Sequence, residues 1–372
     1  MDTRDFDYEL PPELIAQEPS ASRGEDRLLV LSPSGIEHRR FADLPGYLRP
    51  GDVLVLNDTR VLPARLRGRR ATGGGLELLL LGLGDASGAV EALVRGKPLR
   101  PGELFHLPEG RGRVLRRIAG SRYLISIEFR KSREGDGRAG PLWGAPLLRY
   151  LELHGEMPTP PYIKKRLEAP ERYQTVYARE VGSVAAPTAG LHLTPEMLAS
   201  LRREGVGIAY LTLHIGLGTF APVRSHSVEE HRMEAEYFRV PPESAELINR
   251  RTGRLVVVGT STVRALESAA VPAEPRPRPS GPEEWGGGTT DGGRPRARVM
   301  PIEGWTELFI YPGYEFRVRP DMLLTNFHLP RSTLIMLVSA LVGRERLLAA
   351  YREAVREKYR FYSFGDAMLC IL

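Results

Sequence analysis

Three short segments combine glycine, small hydroxyl residues and histidine in a way that core packing does not require. The first reads Ala185-Ala186-Pro187-Thr188-Ala189-Gly190-Leu191-His192 and stands directly before Thr194-Pro195, a capped helix start. Glycine and alanine let a backbone approach a ligand closely, and free amides near a helix start suit a carboxylate, phosphate or ribose. An ordinary tight loop accounts for the same residues equally well. The second, His214-Ile215-Gly216-Leu217-Gly218-Thr219-Phe220, follows an expected strand over Val206–Leu213. Ligands of open α/β sheets bind beyond the carboxyl ends of strands, where glycines are needed for close approach. A lone Gly-x-Gly is weak, and no third glycine stands at dinucleotide-fingerprint spacing, which argues against an oxidoreductase. The third, Gly259-Thr260-Ser261-Thr262-Val263-Arg264, sits at a strand-to-helix turn. Its hydroxyls and helix amides can hold ribose or a carboxylate, and Arg264 can reach an anion. Thr260 or Ser261 can equally serve only to cap the helix.

Four histidines carry separate weight: His192, His214, His231 and His328. Imidazole titrates near neutrality and suits a general base, although a single histidine is more often a hydrogen-bonded structural residue. None lies in a His-x-x-x-His pair or beside a carboxylate set with metal-ligand spacing, so no metal is expected. The single cysteine, Cys370, allows neither an intramolecular disulfide nor a cysteine-based metal site.

The elements that must position these residues change character along the chain. From Asp52 to about Arg130 there are short β-rich runs: Val53–Leu56, Val61–Leu66, Leu76–Leu81, Ala89–Val94, Glu103–Leu107, Arg113–Arg117 and Tyr123–Phe129. Glycine or Pro-Gly separates most of them, which points to an antiparallel barrel or sandwich. After Pro146 helices alternate with apolar runs, the order of an α/β fold. Helices are expected from Pro195 to Gly205, over Val263–Ala270, over Thr333–Val342 behind a Ser332 cap, and over Glu345–Tyr359; Leu255–Val258 is a buried strand. Between Val271 and Arg298 six prolines and six glycines fall within 28 residues, so that stretch reads as an exposed, disordered insertion.

The formal charge of +6 and pI of about 9.4 suit a polyanionic partner without requiring one. The N-terminus lacks a secretory pattern, and the longest apolar run, Leu334–Val342, is too short for a bilayer. A cytoplasmic protein is expected.

Taken together, the segments closely resemble the S-adenosylmethionine:tRNA ribosyltransferase-isomerases of queuosine biosynthesis. The matching stretches are Phe6–Pro19 with Arg27-Leu28-Leu29, Asn57–Arg65, Pro158–Ile163, Tyr173–Ala178, Ala185–His192, Leu213–Val223, Gly259–Ser268, Phe309–Tyr314, Leu324–Val338 and Lys358–Met368. Leu193 stands where the family carries phenylalanine. Glu234 stands where it carries histidine, which keeps position 234 out of the catalytic set.

The resemblance implies a larger α/β domain, 1–60 and 156–372, with an antiparallel β-barrel domain, 61–155, inserted in it. It implies transfer and isomerisation of the ribosyl moiety of S-adenosylmethionine onto 7-aminomethyl-7-deazaguanine in a tRNA anticodon stem-loop. The product is epoxyqueuosine-tRNA, and adenine and methionine are released. S-adenosylmethionine is then a consumed co-substrate with no other cofactor, and a monomer is favoured. His192 and His214 are the candidate bases, with Glu267 next in line. Thr188, Gly190, Gly216, Gly218, Thr219, Thr260, Ser261, Thr262, Arg264, Asn326 and His328 are the candidate substrate-binding residues. Arg60, Arg65, Lys164, Lys165 and Arg166 are the candidate RNA contacts. The competing class is a non-catalytic RNA-binding module, motivated by the basic charge and the barrel.

Overall fold

In the computed structural model the described residues are 1–129, 142–216, 218, 223–272, 290–291, 294–295 and 297–372. The chain forms two compact units, one of residues 1–59, 160–180 and 187–372, the other of 60–159 and 181–186.

The first unit is built on a nine-stranded mixed sheet. Its strand order is Ile302–Thr306, Glu236–Val240, Gly207–Leu213, Val53–Asn57, Leu255–Val258, Met322–Asn326, Ala367–Ile371, Arg27–Ser32 and Gly35–Arg40. The four strands from Gly207–Leu213 to Met322–Asn326 run parallel to one another. Sequence explains their place: Val-Leu-Val-Leu-Asn and Leu-Val-Val-Val are buried at every position, as strands covered on both faces must be. Leu54, Leu56, Val256, Val258 and Leu324 share one core with Leu198 and Leu201 of the Pro195–Arg203 helix.

That helix begins where expected, its Thr194 hydroxyl accepting from the Met197 amide at 3.1 Å. Ser332 likewise accepts from the Ile335 amide to start Thr333–Val342, and Arg344–Arg356 follows. Two helices differ from expectation by as much as three residues: Arg344–Arg356 ends before the predicted Tyr359, and Thr260–Ser268 starts before the predicted Val263. Gly259 occupies its N-cap position at φ +86°, where a side chain would be strained. Thr260 and Ser261 therefore lie inside the first turn and do not cap it.

The second unit is a closed six-stranded barrel in the order Arg122–Phe129, Ala89–Arg95, Gly75–Leu80, Arg65–Arg70, Leu104–Leu107 and Gly110–Ala119. Every barrel pairing is antiparallel. The expected strand over Val61–Leu66 is corrected: Thr59–Val61 ends before Pro63, which has no N–H to offer a ladder, and the barrel strand begins at Arg65. Alternating inward residues such as Leu66, Leu78, Val94, Phe105 and Ile125 fill the barrel, joined by Leu147, Tyr150 and Leu151 of the Gly144–His154 helix.

Much of the Val271–Arg298 stretch, and with it the expectation of disorder there, lies outside the described residues. Its ends pair with each other, Ala270–Val271 running antiparallel to Arg298–Val299.

Candidate active site

All four parallel strands release their chain at the same edge of the sheet, and each ends in residues with chemical potential. Val53–Asn57 leads into Asp58 and Thr59, Gly207–Leu213 into His214, Leu255–Val258 into Gly259 and Thr260, and Met322–Asn326 into His328. A sheet concentrates open backbone groups at such an edge.

Asn57 ties three of these ends together. Its amide donates to the Leu213 carbonyl at 3.0 Å and to Ser261 Oγ at 3.2 Å, while its Oδ1 accepts from the Leu213 and Thr59 amides. Beside it, the Thr59 hydroxyl lies 2.8 Å from His214 Nδ1, and the His214 ring stacks on Tyr237 with 5.4 Å between centroids. Burial pushes His214 below its ordinary pKa, and the Glu180 charge opposes this only in part. The ring is therefore neutral at pH 7, the state a base requires. With Nδ1 turned to Thr59, Nε2 has no hydrogen-bond partner among the described residues.

His192 is in a different situation. It is 3 % exposed, in the single 3-10 turn Thr188–His192, and its Nδ1 lies 2.7 Å from Asp26 Oδ2. Burial acts to raise Asp26, but hydrogen bonding from His192, helped by Ser20 and the Arg360 charge, outweighs it and holds the carboxyl below its usual range. An ionised Asp26 keeps the proton on Nδ1. Nε2 then accepts from the Asn326 amide at 3.2 Å, and Asn326 Oδ1 accepts from the Thr188 hydroxyl at 3.1 Å. Both ring nitrogens are engaged, so His192 orients Asn326 and Thr188 and has no lone pair turned toward a ligand.

Arg264 is 5 % exposed, pairs through Nη1 with Glu236, and donates from Nε to the Leu308 carbonyl at 2.9 Å. Glu236 Oε1 also accepts from the Gly216 amide at 2.7 Å. Arg264 Nη2 is buried and has no hydrogen-bond partner among the described residues.

Other candidates find structural employment. Thr262 is fully buried, its hydroxyl donating back to the Val258 carbonyl at 2.5 Å, so it offers nothing to a ribose. A Cβ on Gly190 would collide with the Tyr177 hydroxyl, so that glycine makes room for a tyrosine and not for a ligand. Glu267 is 1 % exposed and accepts from Tyr314, from the Arg317 amide and from the Val318 amide, three bonds that employ both carboxylate oxygens in holding the 314–318 segment. His328 is pushed down to about 3 by burial, with its Nε2 on Thr325 and its backbone held by Tyr8 and Tyr351. Thr219 lies outside the described residues, and Gly218 stands beside Glu234. The Thr260 hydroxyl has no hydrogen-bond partner among the described residues, nor do the same residues contain a group of three or more His, Cys, Asp or Glu placed to hold a metal ion. No helix among them is long and apolar enough to cross a membrane.

A family model described as queuosine biosynthesis protein matches residues 3–370. The chain belongs to that family. A relative in Moorella thermoacetica named S-adenosylmethionine:tRNA ribosyltransferase-isomerase is 50% identical over 378 residues, covering 100% of both chains. One of the same name in Natranaerobius thermophilus is 46% identical over 375 residues and 99% of each chain. The crystal structure of S-adenosylmethionine tRNA ribosyltransferase from Thermotoga maritima, at 2.00 Å, is 34% identical with a TM-score of 0.50, covering 98% of this chain and 99% of that one.

Within this queuosine-family chain, sequence reasoning passed over Asn57, Asp58, Thr59, Asp26 and Glu236 as site residues. Asn57–Arg65 stood out only as a matching stretch, and buried polar residues directly after an all-apolar strand were the available signal. Asp58 is 5 % exposed; burial raises its carboxyl despite the Thr212 hydrogen bond and the Arg179 charge. Asp26 and Glu236 had no local signal. Among the RNA candidates, Arg60, Lys164, Lys165 and Arg166 are exposed, with Lys165 paired to Glu18 at 3.1 Å. Arg65 is engaged by the Thr159 carbonyl and stands 3.8 Å from Glu77.

Proposed function

We propose that this chain transfers and isomerises the ribosyl moiety of S-adenosylmethionine onto 7-aminomethyl-7-deazaguanine in a tRNA anticodon, giving epoxyqueuosine and releasing adenine and methionine. Family membership supplies the reaction class. The observation that carries the site is the shared strand edge, where a neutral His214, the first-turn amides of Thr260–Ser268 and the unpartnered Arg264 Nη2 are gathered.

The sulfonium of the co-substrate acidifies the adjacent C5′ protons. His214 Nε2 takes one of them as general base, the glycosidic bond breaks to expel adenine, which takes up a proton, the substrate amine bonds to the opened sugar and gives up a proton, and the C5′–S bond breaks to release methionine as a sugar oxygen closes the epoxide. Thr59 holds the imidazole by its other nitrogen, as an orienting partner does in a base–orienter pair. Arg264 Nη2 takes the methionine carboxylate, a charge-assisted contact that offsets leaving a guanidinium nitrogen buried and unpaired. Ser261, Thr260 and Thr188 stand at the same edge for the ribose hydroxyls. His192, held by Asp26, acts through Asn326 to set the Thr188 hydroxyl and is a positioning residue.

The test is incubation of the full-length protein with labelled S-adenosylmethionine and a tRNA bearing the aminomethyl base. Adenine release dependent on both substrates supports the reading. tRNA binding that is indifferent to S-adenosylmethionine, with no adenine released, would leave an RNA-binding module in its place.

A further inference from the structure

The positive charge of this chain is not spread evenly. Residues 60–159 contain eighteen Lys and Arg against ten Asp and Glu, a net +8 in a chain whose total is +6. The remainder is therefore slightly acidic, and the basic character read from composition belongs to the stretch of chain that contains the barrel strands.

Within the barrel the charge is again one-sided. The adjacent strands Arg65–Arg70, Leu104–Leu107, Gly110–Ala119 and Arg122–Phe129 pair in a register that sets Arg69 opposite His106, His106 opposite Arg111, and Arg113 opposite Leu104 on one side and Ser126 on the other. Side chains alternate in and out along the strands, so Leu66, Phe105, Gly112 and Val114 are buried and Arg67, Arg69, His106, Arg111 and Arg113 are exposed; a register shift after Val114 then leaves both Leu115 and Arg116 exposed. Two of these are neutralised, Arg67 by Glu156 and Arg111 by Glu128. Arg69, Arg113 and Arg116 have no acidic partner among the described residues. On the opposite strands, Gly75–Leu80 and Ala89–Arg95, the charged outward positions are Glu77, Glu91 and Arg95, with Arg95 in register with Glu77 and Glu91 bonded to Arg122, so that face is close to neutral. The four-strand face also exposes Leu104 (42 %) and Leu115 (41 %), apolar area beside unpaired guanidinium groups.

We infer that this outer barrel face, with Arg69, Arg113 and Arg116 as its unpaired cations, docks the phosphate backbone of the substrate tRNA. The inference rests on the tRNA reading above and adds the surface that holds the polynucleotide. Strands lie about 4.8 Å apart and same-side residues about 7 Å apart along a strand, so the arginines are anchored on a fixed two-dimensional array of backbone positions and not on a flexible tail. Arginine is suited to such an array, since its planar fork takes phosphate oxygens in pairs and is weakly hydrated. Contacts of this kind set affinity and register without reading base sequence. Unpaired arginines kept close together repel one another, an arrangement that a polyanion relieves.

The experiment uses the full chain with Arg69, Arg113 and Arg116 all replaced by alanine, and a second triple variant with lysine at the same positions. Binding of a substrate tRNA carrying the aminomethyl base is titrated between about 50 and 200 mM salt. The alanine variant should lose at least about tenfold in affinity at the low end, and its slope of log affinity against log salt should flatten by about 2 to 3. KM for tRNA should rise, while kcat at saturating tRNA, KM for S-adenosylmethionine and the melting temperature hold; lysine should recover most of the slope. Wild-type affinity and slope in the alanine variant, beside a wild-type protein that releases adenine, would sink the surface and leave the proposed reaction standing. Affinity lost together with melting temperature and not recovered by lysine would also overturn it. A wild-type protein that neither binds tRNA nor releases adenine would remove the reaction and the surface together.

Discussion

The Asp26 carboxylate and the His192 imidazole lie 2.7 Å apart, both more than nine-tenths buried, although 166 positions separate them in the chain. The pair fixes the tautomer of His192 and, through it, the orientation of Asn326. Asp26→Asn keeps the shape and removes the charge. It should lower kcat by less than the roughly 10²-fold that marks the loss of a general base, with KM for S-adenosylmethionine little changed. Because the folded-state pKa of Asp26 is depressed, its contribution to stability is fully present above its unfolded value of about 4 and is lost as pH falls through the folded value. The Tm difference between wild type and Asp26→Asn should accordingly stay constant from about pH 8 to 5 and close only in stronger acid. A difference that closes near neutrality would mean that the carboxylate is not ionised against His192.

His214 should behave otherwise. His214→Asn is expected to lower the rate of adenine release by about 10²–10⁴-fold while S-adenosylmethionine binding and Tm hold. In the wild type the rate should rise with pH along a limb whose midpoint lies below the ordinary histidine value of 6.5, because burial depresses the group, and should be level by neutrality. That limb should vanish in the variant. A larger loss in His192→Asn than in His214→Asn, with Tm preserved, would exchange the two roles.

Gly190→Ala should destabilise the protein by about 1–3 kcal/mol through overpacking, since the new methyl meets the Tyr177 hydroxyl and the Thr175 methyl. Tyr177→Phe should by itself be close to neutral, because the hydroxyl it removes is buried without a hydrogen-bond partner among the described residues. In the double variant part of the alanine cost should be recovered. Chemical denaturation of the four proteins of the cycle measures the coupling, and strict additivity would show that the clash is relieved elsewhere.

Replacing residues 273–296 with a short glycine linker should leave both turnover and Tm near wild type. The segment leaves and re-enters through the paired strands Ala270–Val271 and Arg298–Val299, so its two ends are already adjacent and a short loop can close them. Turnover lost in a variant that keeps its Tm would assign the segment a role in the reaction.

Fold class was legible in the sequence because its signals are local. Apolar runs of four or five residues marked the buried strands, and Thr194, Ser332 and Gly205 marked helix ends within a residue or two. Thr260–Ser268 was misjudged at its start because Ser and Thr are usual caps, while the cap position here needs a positive φ that Gly259 supplies. The site was legible as three segments but not as roles. Whether His192 or His214 keeps a lone pair free depends on Asp26, Asn326 and Thr59, which topology brings in from distant strands. Gly190 was read as room for a ligand, since a glycine's neighbour cannot be known before the chain is folded. The charge total was legible too, yet it carried no indication that alternation along the barrel strands would collect arginines on one face.

Between Met322–Asn326 and Arg27–Ser32 the only strand is Ala367–Ile371, hydrogen-bonded to both. The N-terminal hairpin that carries Asp26 at its root is thus attached to the sheet through residues made about 340 positions later. During synthesis, which proceeds from the N-terminus at about 5–20 residues per second, the hairpin must wait until Ala367–Ile371 has been made. A ribosome that stalls before Ala367 yields a chain in which Arg27–Ser32 has no neighbour on that side and Asp26 has no fixed approach to His192. Loss of the codons for Ala367–Ile371 would then be felt at Arg27–Ser32, and chains terminated before them would present an unpaired sheet edge to the quality-control machinery.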